Sequence, residues 1–79
     1  MIDLHSEHDG VVLAIHPWGA DVETSGGVGV FVDHAKVGSQ VIDVGSHVRV
    51  VILDETRDPA RGSMLGSDFE IARRLRVQD

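Results

Sequence analysis

The chain has no cysteine and no tyrosine, one tryptophan, two phenylalanines and two prolines in 79 residues. Without cysteine there is no disulfide framework and no thiolate metal site. No apolar run approaches the roughly 18 residues that would suggest a membrane helix. The opening MIDLHSEHDG has neither the basic nor the apolar region of a secretory signal, so a cytoplasmic protein is expected. Basic residues are also scarce: seven Lys and Arg against thirteen Asp and Glu give a formal net charge of −6. A strong nonspecific polyanion binder needs many more cations than this.

The few cations are unevenly placed. Residues 1–56 carry only Lys36 and Arg49, against nine acids. Residues 57–79 hold Arg57, Arg61, Arg73, Arg74 and Arg76 against four acids. A polyanion could dock where the fold gathers these late arginines on one side.

The missing catalytic patterns are informative too. There is no HExxH, no paired-carboxylate arrangement and no nucleophile–base pair. Gly26-Gly27-Val28-Gly29 lacks the following helix and Lys-Ser/Thr of a phosphate loop. His5 and His8 have metal-ligand spacing only on a helix, and nothing around them reads as one. The expectation is a protein that is not an enzyme and holds no metal or cofactor.

What is present is β-forming sequence. The length makes one domain of 1–79 with a small core. Residues 1–9 read as a polar lead-in. Gly10 opens an apolar strand over Val11–Ile15, which ends at His16-Pro17 because proline cannot donate to a ladder. Trp18–Val22 alternates large or apolar residues with small or acidic ones. Trp18 suits either core packing or surface stacking. Ser25-Gly26-Gly27 is turn chemistry and leads into Val28–Val32, where Gly29 is a candidate bulge or close backbone approach. Asp33–Ser46 is a long connection that should pack down through Val37, Val41, Ile42 and Val44. Val48–Leu53 is the clearest strand, with Val48, Val50 and Ile52 on one face. A charged turn over Asp54–Gly62 precedes a short fifth strand at Ser63–Gly66. Ser67, with Glu70 three residues later, is placed to cap a C-terminal helix or tail over 68–79. Phe69, Ala72 and Leu75 would form its apolar stripe. Arg73, Arg74 and Arg76 would complement its dipole.

Five short strands, a long connection between the third and fourth, and one late helix define an all-β, five-stranded Greek-key barrel of the OB type with a short C-terminal helix. Such closure suits a small core because it removes the sheet edges.

The ordered pieces Gly10-x-Val12-x-x-Ile15, Trp18-Gly19-Ala20-Asp21-Val22, Gly29-Val30-Phe31-Val32, Val44-Gly45-Ser46-His47-Val48-Arg49-Val50 and Asp58-Pro59-Ala60-Arg61-Gly62 resemble the S1-type RNA-binding domain over residues 10–67. The resemblance implies single-stranded RNA bound on the face of the second and third strands, in translation or RNA metabolism. Trp18 matches the family's first stacking aromatic. Asp21 stands where the family has its second, and Val32 where it has a histidine, with His34 two residues on. Arg49 matches the basic position of the fourth strand, and Arg61 that of the last hairpin. The candidate RNA-binding set is Trp18, Phe31 and His34 for stacking, with Arg49, Arg57 and Arg61 on phosphates. The alternative is an acidic interaction module that docks on a basic protein partner, since fold does not fix function.

Overall fold

The computed structural model describes residues 2–77. Its elements run β1 (Glu7–His16), β2 (Gly19–Thr24), β3 (Gly29–Asp33), α1 (His34–Val37), β4 (His47–Asp54), β5 (Ala60–Ser63) and α2 (Gly66–Val77). The strands close into a barrel in the order β1-β2-β3-β5-β4. All neighbours are antiparallel except β3 and β5, which run parallel. This is the expected OB-type barrel with its late helix.

Alternation along the strands fills the interior. Val12, Ala20, Val22, Val30, Val32, Val50, Ile52 and Ala60 point inward and are buried in one cluster. Each fully buried Val or Ile contributes about 1.5–3 kcal/mol relative to exposure. Val37 from α1 and Met64 after β5 complete the cluster. The Met64 backbone amide donates to the Lys36 carbonyl (2.9 Å) and the Gln40 side-chain Nε2 to the Met64 carbonyl (3.1 Å). The long connection therefore packs down through Val37 and half-buried Ile42, whereas Val41 (95% exposed) and Val44 face solvent.

The structure corrects several expectations. The lead-in is shorter than the sequence suggests, because β1 starts at Glu7 and pairs Glu7, His8 and Asp9 with Val51, Val50 and Arg49 of β4. Polar residues hold this strand because its outer side takes ion pairs rather than apolar contacts. Gly29 lies in an unbroken register, and a Cβ there would meet nothing within 4 Å. The close approaches are elsewhere. A Cβ on Gly10 would lie 2.6 Å from Val22, one on Gly19 2.3 Å from the Val32 carbonyl oxygen, and one on Gly62 2.7 Å from Val30. The register breaks fall at Leu13 in β1 and Leu53 in β4. The fifth strand is Ala60–Ser63 rather than Ser63–Gly66. Ser67 sits inside the first turn of α2 and so is not its N-cap. The Ser63 hydroxyl instead accepts from the Leu65 amide (3.0 Å) and donates to the Asp68 carboxylate (2.7 Å). The last two residues of the expected helix or tail, 78 and 79, lie outside the described residues.

Helix α2 packs on β4. Ala72 and the outward Val51 are both fully buried, while Ile71 and Leu75 remain exposed, so the apolar stripe buries one small residue. Charge completes the attachment. Arg73 grips Glu7 through two hydrogen bonds (2.9 and 3.0 Å), Arg76 adds a third, and Arg49 stands 3.5 Å away. The Arg73 and Arg76 hydrogen bonds hold the Glu7 carboxyl well down, from 4.5 to about 2. The two helix arginines thus act as a latch on β1 rather than as dipole partners alone.

A carboxyl depressed in the folded state stabilises the fold above its unfolded pKa, and that stabilisation is lost as pH falls through the folded value. The Glu7→Gln variant should melt below wild type at neutral pH. The gap should close as the pH falls from 4.5 to about 2. Thermal unfolding followed across that window checks it, and a gap that does not narrow would rule out the latch.

Candidate nucleic-acid interface

The outward residues at mid-barrel form a row set by strand register. Asp21 of β2 pairs with Phe31 of β3, Phe31 with Arg61 of β5, and Arg61 with Asp54 of β4. Phe31 points away from the core but is only 9% exposed, because the Arg61 guanidinium lies over its ring, 4.7 Å from the centroid. The Arg61 Nε is buried with no hydrogen-bond partner among the described residues. The ring contact is what fixes this guanidinium.

Beside this pair is a concavity of about 390 Å³ lined by Phe31, Asp33, Lys36, Leu53, Asp54, Arg57, Arg61 and Gly62. Its cations are tethered. Lys36 donates to Asp68 (3.1 Å), and Arg57 stands 3.4 Å from Asp54. Burial pushes the Asp68 carboxyl up, but the Ser63 hydroxyl and the Lys36 ammonium more than offset this and hold it below its ordinary value. Asp54 is held low chiefly by the hydroxyl and amide of Thr56, and less by Arg57. These tethers pre-position the cations at the rim while leaving donors to turn toward a phosphate.

Trp18 sits in the β1–β2 turn and is 61% exposed. Its ring stacks on His16, with centroids 4.8 Å apart and planes within 1° of parallel. The His16 Nε2 lies 3.0 Å from an Asp21 carboxylate oxygen. The His34 amide donates to the Trp18 carbonyl (2.9 Å), which brings the start of α1 against the turn. The His34 residue is exposed, and it lines a second concavity of about 260 Å³ together with Ile15, His16 and Val41.

Of the six residues singled out from the sequence, the structure places Phe31, Arg57 and Arg61 around one concavity and Trp18 and His34 side by side in the backbone. Arg49 belongs to neither group. It donates to Asp9 (2.8 Å) and stands beside Glu7, on the part of the barrel that carries the α2 latch. Sequence reasoning missed His16 and Lys36. His16 could have been found from the hairpin: a short turn at Pro17-Trp18 brings His16 opposite Gly19, two residues from Asp21 along the next strand. Lys36 had only its rarity as a signal, being one of two cations in the first 56 residues.

Among the described residues no group of three or more His, Asp or Glu side chains could hold a metal ion, and no helix is long and apolar enough to cross a membrane.

No protein-family model and no curated protein matches the chain. Solved structures do match it. The uncharacterized protein MJ1198 from Methanocaldococcus jannaschii is similar with a TM-score of 0.72 at 17% identity, over 84% of this chain and 96% of that one. GSP13 from Bacillus subtilis is similar with a TM-score of 0.65 at 20% identity, over 81% of this chain and 55% of that one. A chain of the a/eIF2alpha–aDim2p–rRNA complex from Pyrococcus horikoshii OT3 is similar with a TM-score of 0.68 at 17% identity, over 99% of this chain and 52% of that one. This chain thus spans about half the length of the last two. At these identities the likeness is one of fold: a five-stranded barrel of the OB type.

The Phe31–Arg61 contact yields a direct test. In a double-mutant cycle of Phe31→Leu and Arg61→Met, the coupling should be about 1–2 kcal/mol, as for a largely desolvated cation–π pair. Urea unfolding of the four proteins measures it, and strict additivity would show that the guanidinium gains nothing from the ring.

Proposed function

We propose that this barrel is a binding module for single-stranded RNA, with Trp18 as its main stacking surface and Arg57, Arg61 and Lys36 as phosphate partners. The observation that carries the reading is Trp18 itself. A large apolar ring, 61% exposed, is already fixed against His16, so its ordering cost is met before any ligand arrives. Stacking a base on such a ring is worth about 1–3 kcal/mol. The similar fold in a chain of the a/eIF2alpha–aDim2p–rRNA complex supports the reading, as does the resemblance to the S1-type domain. The module has no catalytic step of its own and serves translation or RNA metabolism in the cytoplasm.

Charge sets the character of the binding. Lys36, Arg57 and Arg61 stand among Asp33 and Asp54 around the concavity, and the whole chain carries −6. Affinity therefore comes from stacking more than from phosphate contacts. Modules of this kind gain strength when linked to others.

The competing reading, docking on a basic protein, draws on the outward Leu13 and Ile15 of β1, both exposed, and on the negative net charge.

Titrating Trp18 emission with a mixed-sequence single-stranded RNA tests the proposal. Saturable quenching is expected, weakening with salt by a log–log slope no steeper than about −2, the limit for three phosphate contacts on a single strand. With an end-labelled RNA, Trp18→Ala should weaken binding about tenfold or more, and Arg49→Ala should leave it unchanged. Absence of saturable binding at low salt would overturn the RNA reading in favour of a protein partner.

A further inference from the structure

The position matching the second stacking aromatic of the S1-type pattern is Asp21, which cannot stack. The structure shows what Asp21 does instead. Its carboxylate meets His16 Nε2 at 3.0 Å, and the imidazole so held lies parallel to Trp18. A second ring is therefore present at the site, supplied by the end of β1 rather than by β2. With one face on His16 and the residue 61% exposed, Trp18 turns its other face outward, where a base would extend the stack to three rings.

We propose that the His16–Trp18 stack is a proton-sensitive base platform, in which Asp21 is the positioning residue and protonation of His16 strengthens RNA binding. The affinity half rests on the RNA reading above; the proton-sensitive stack does not. With neutral imidazole, the Nε2–H donates to the carboxylate, and the pair presents one negative charge beside the stacking ring. With imidazolium, the same hydrogen bond becomes an ion pair of zero net charge. The cation also lies on the indole face, where the ring quadrupole favours it. Removing one negative charge within several ångströms of a bound phosphate is worth a few-fold in affinity at solvent-exposed distances.

The charged groups around His16 agree with this direction. From β2 it faces Asp21. From α1 it shares a concavity with His34, between the apolar side chains of Ile15, Val37 and Val41. Asp33 of β3 pairs in register with Gly19, itself the partner of His16. Lys36 is turned away to Asp68. The nearest carboxylate is thus the one that His16 can neutralise, and His34, when protonated, acts in the same sense.

The test uses the full chain and its only tryptophan. Emission of the free protein is followed from about pH 8.5 to about pH 5.5, the range in which histidines change charge. A quenching step on acidification is expected in wild type and in His34→Gln. It should be absent in His16→Phe, which keeps a ring and cannot take the proton. Both His16 and Asp21 side chains are partly exposed, and the melting temperature of each variant verifies that the barrel persists. Binding of a labelled oligoribonucleotide at the two pH limits should tighten about threefold more in wild type than in His16→Phe. Asp21→Asn, which removes the same negative charge, should bind more tightly than wild type at pH 8.5. The same emission profile in wild type and His16→Phe would overturn the proton-sensitive stack. Equal pH dependence of RNA binding in the two proteins would overturn this inference while leaving the RNA reading standing. An emission step with no RNA binding at either pH would overturn the RNA reading and the affinity gain with it.

Discussion

The parallel pairing of β3 with β5 is the contact on which the rest of the molecule depends. It joins the two halves of the sheet through only three register pairs, Val30–Ala60, Phe31–Arg61 and Val32–Gly62. Without it the sheet has two open edges and the valine interior is exposed to water. The same three pairs build the site. The inward members close the core, and the outward pair sets the guanidinium of Arg61 on the ring of Phe31. Gly62 is small because the closure is tight: a Cβ there would lie 2.7 Å from Val30 and 3.1 Å from the Val51 carbonyl oxygen. Stability and ligand face thus share one seam.

Charge is divided between two jobs. Glu7 takes hydrogen bonds from Arg73 and Arg76, so two of the seven cations hold α2 to the barrel, and Arg49 of β4 stands beside the same carboxylate. Lys36, Arg57 and Arg61 remain around the concavity, with Asp33 and Asp54 for company. A face so nearly neutral gathers little from counterion release. It relies instead on ring surfaces held in place before a ligand comes. The His16–Trp18 stack meets that need without an added aromatic residue, since a short hairpin turn and one carboxylate orient the imidazole.

How much of this could be read in advance depends on the range of the interactions. The strands at Val11–Ile15 and Val48–Leu53 were legible because apolar and β-branched residues recur there in a pattern that only a buried or half-buried strand satisfies. The barrel followed from strand number, turn spacing and the long third connection. Glu7–Asp9 were not legible as strand, because their partners lie some forty residues away in β4 and their own composition is polar. Phe31, Arg57 and Arg61 line one concavity; Arg49 lies apart from them, because Asp9 and Glu7 stand next to it across the β1–β4 ladder.

Composition and periodicity by themselves determined that this chain is a small, cysteine-free, acidic β-barrel with one tryptophan, whose place in the core or on the surface they left open. They did so because local patterns of burial repeat every two residues and turn residues interrupt them, whatever the rest of the chain does. Only the tertiary structure decided which charges are engaged with one another, that Arg61 covers Phe31, and that His16 supplies a ring beside Trp18. Those outcomes turn on register across strands far apart in sequence. A shift of one residue would send every one of these side chains to the opposite face.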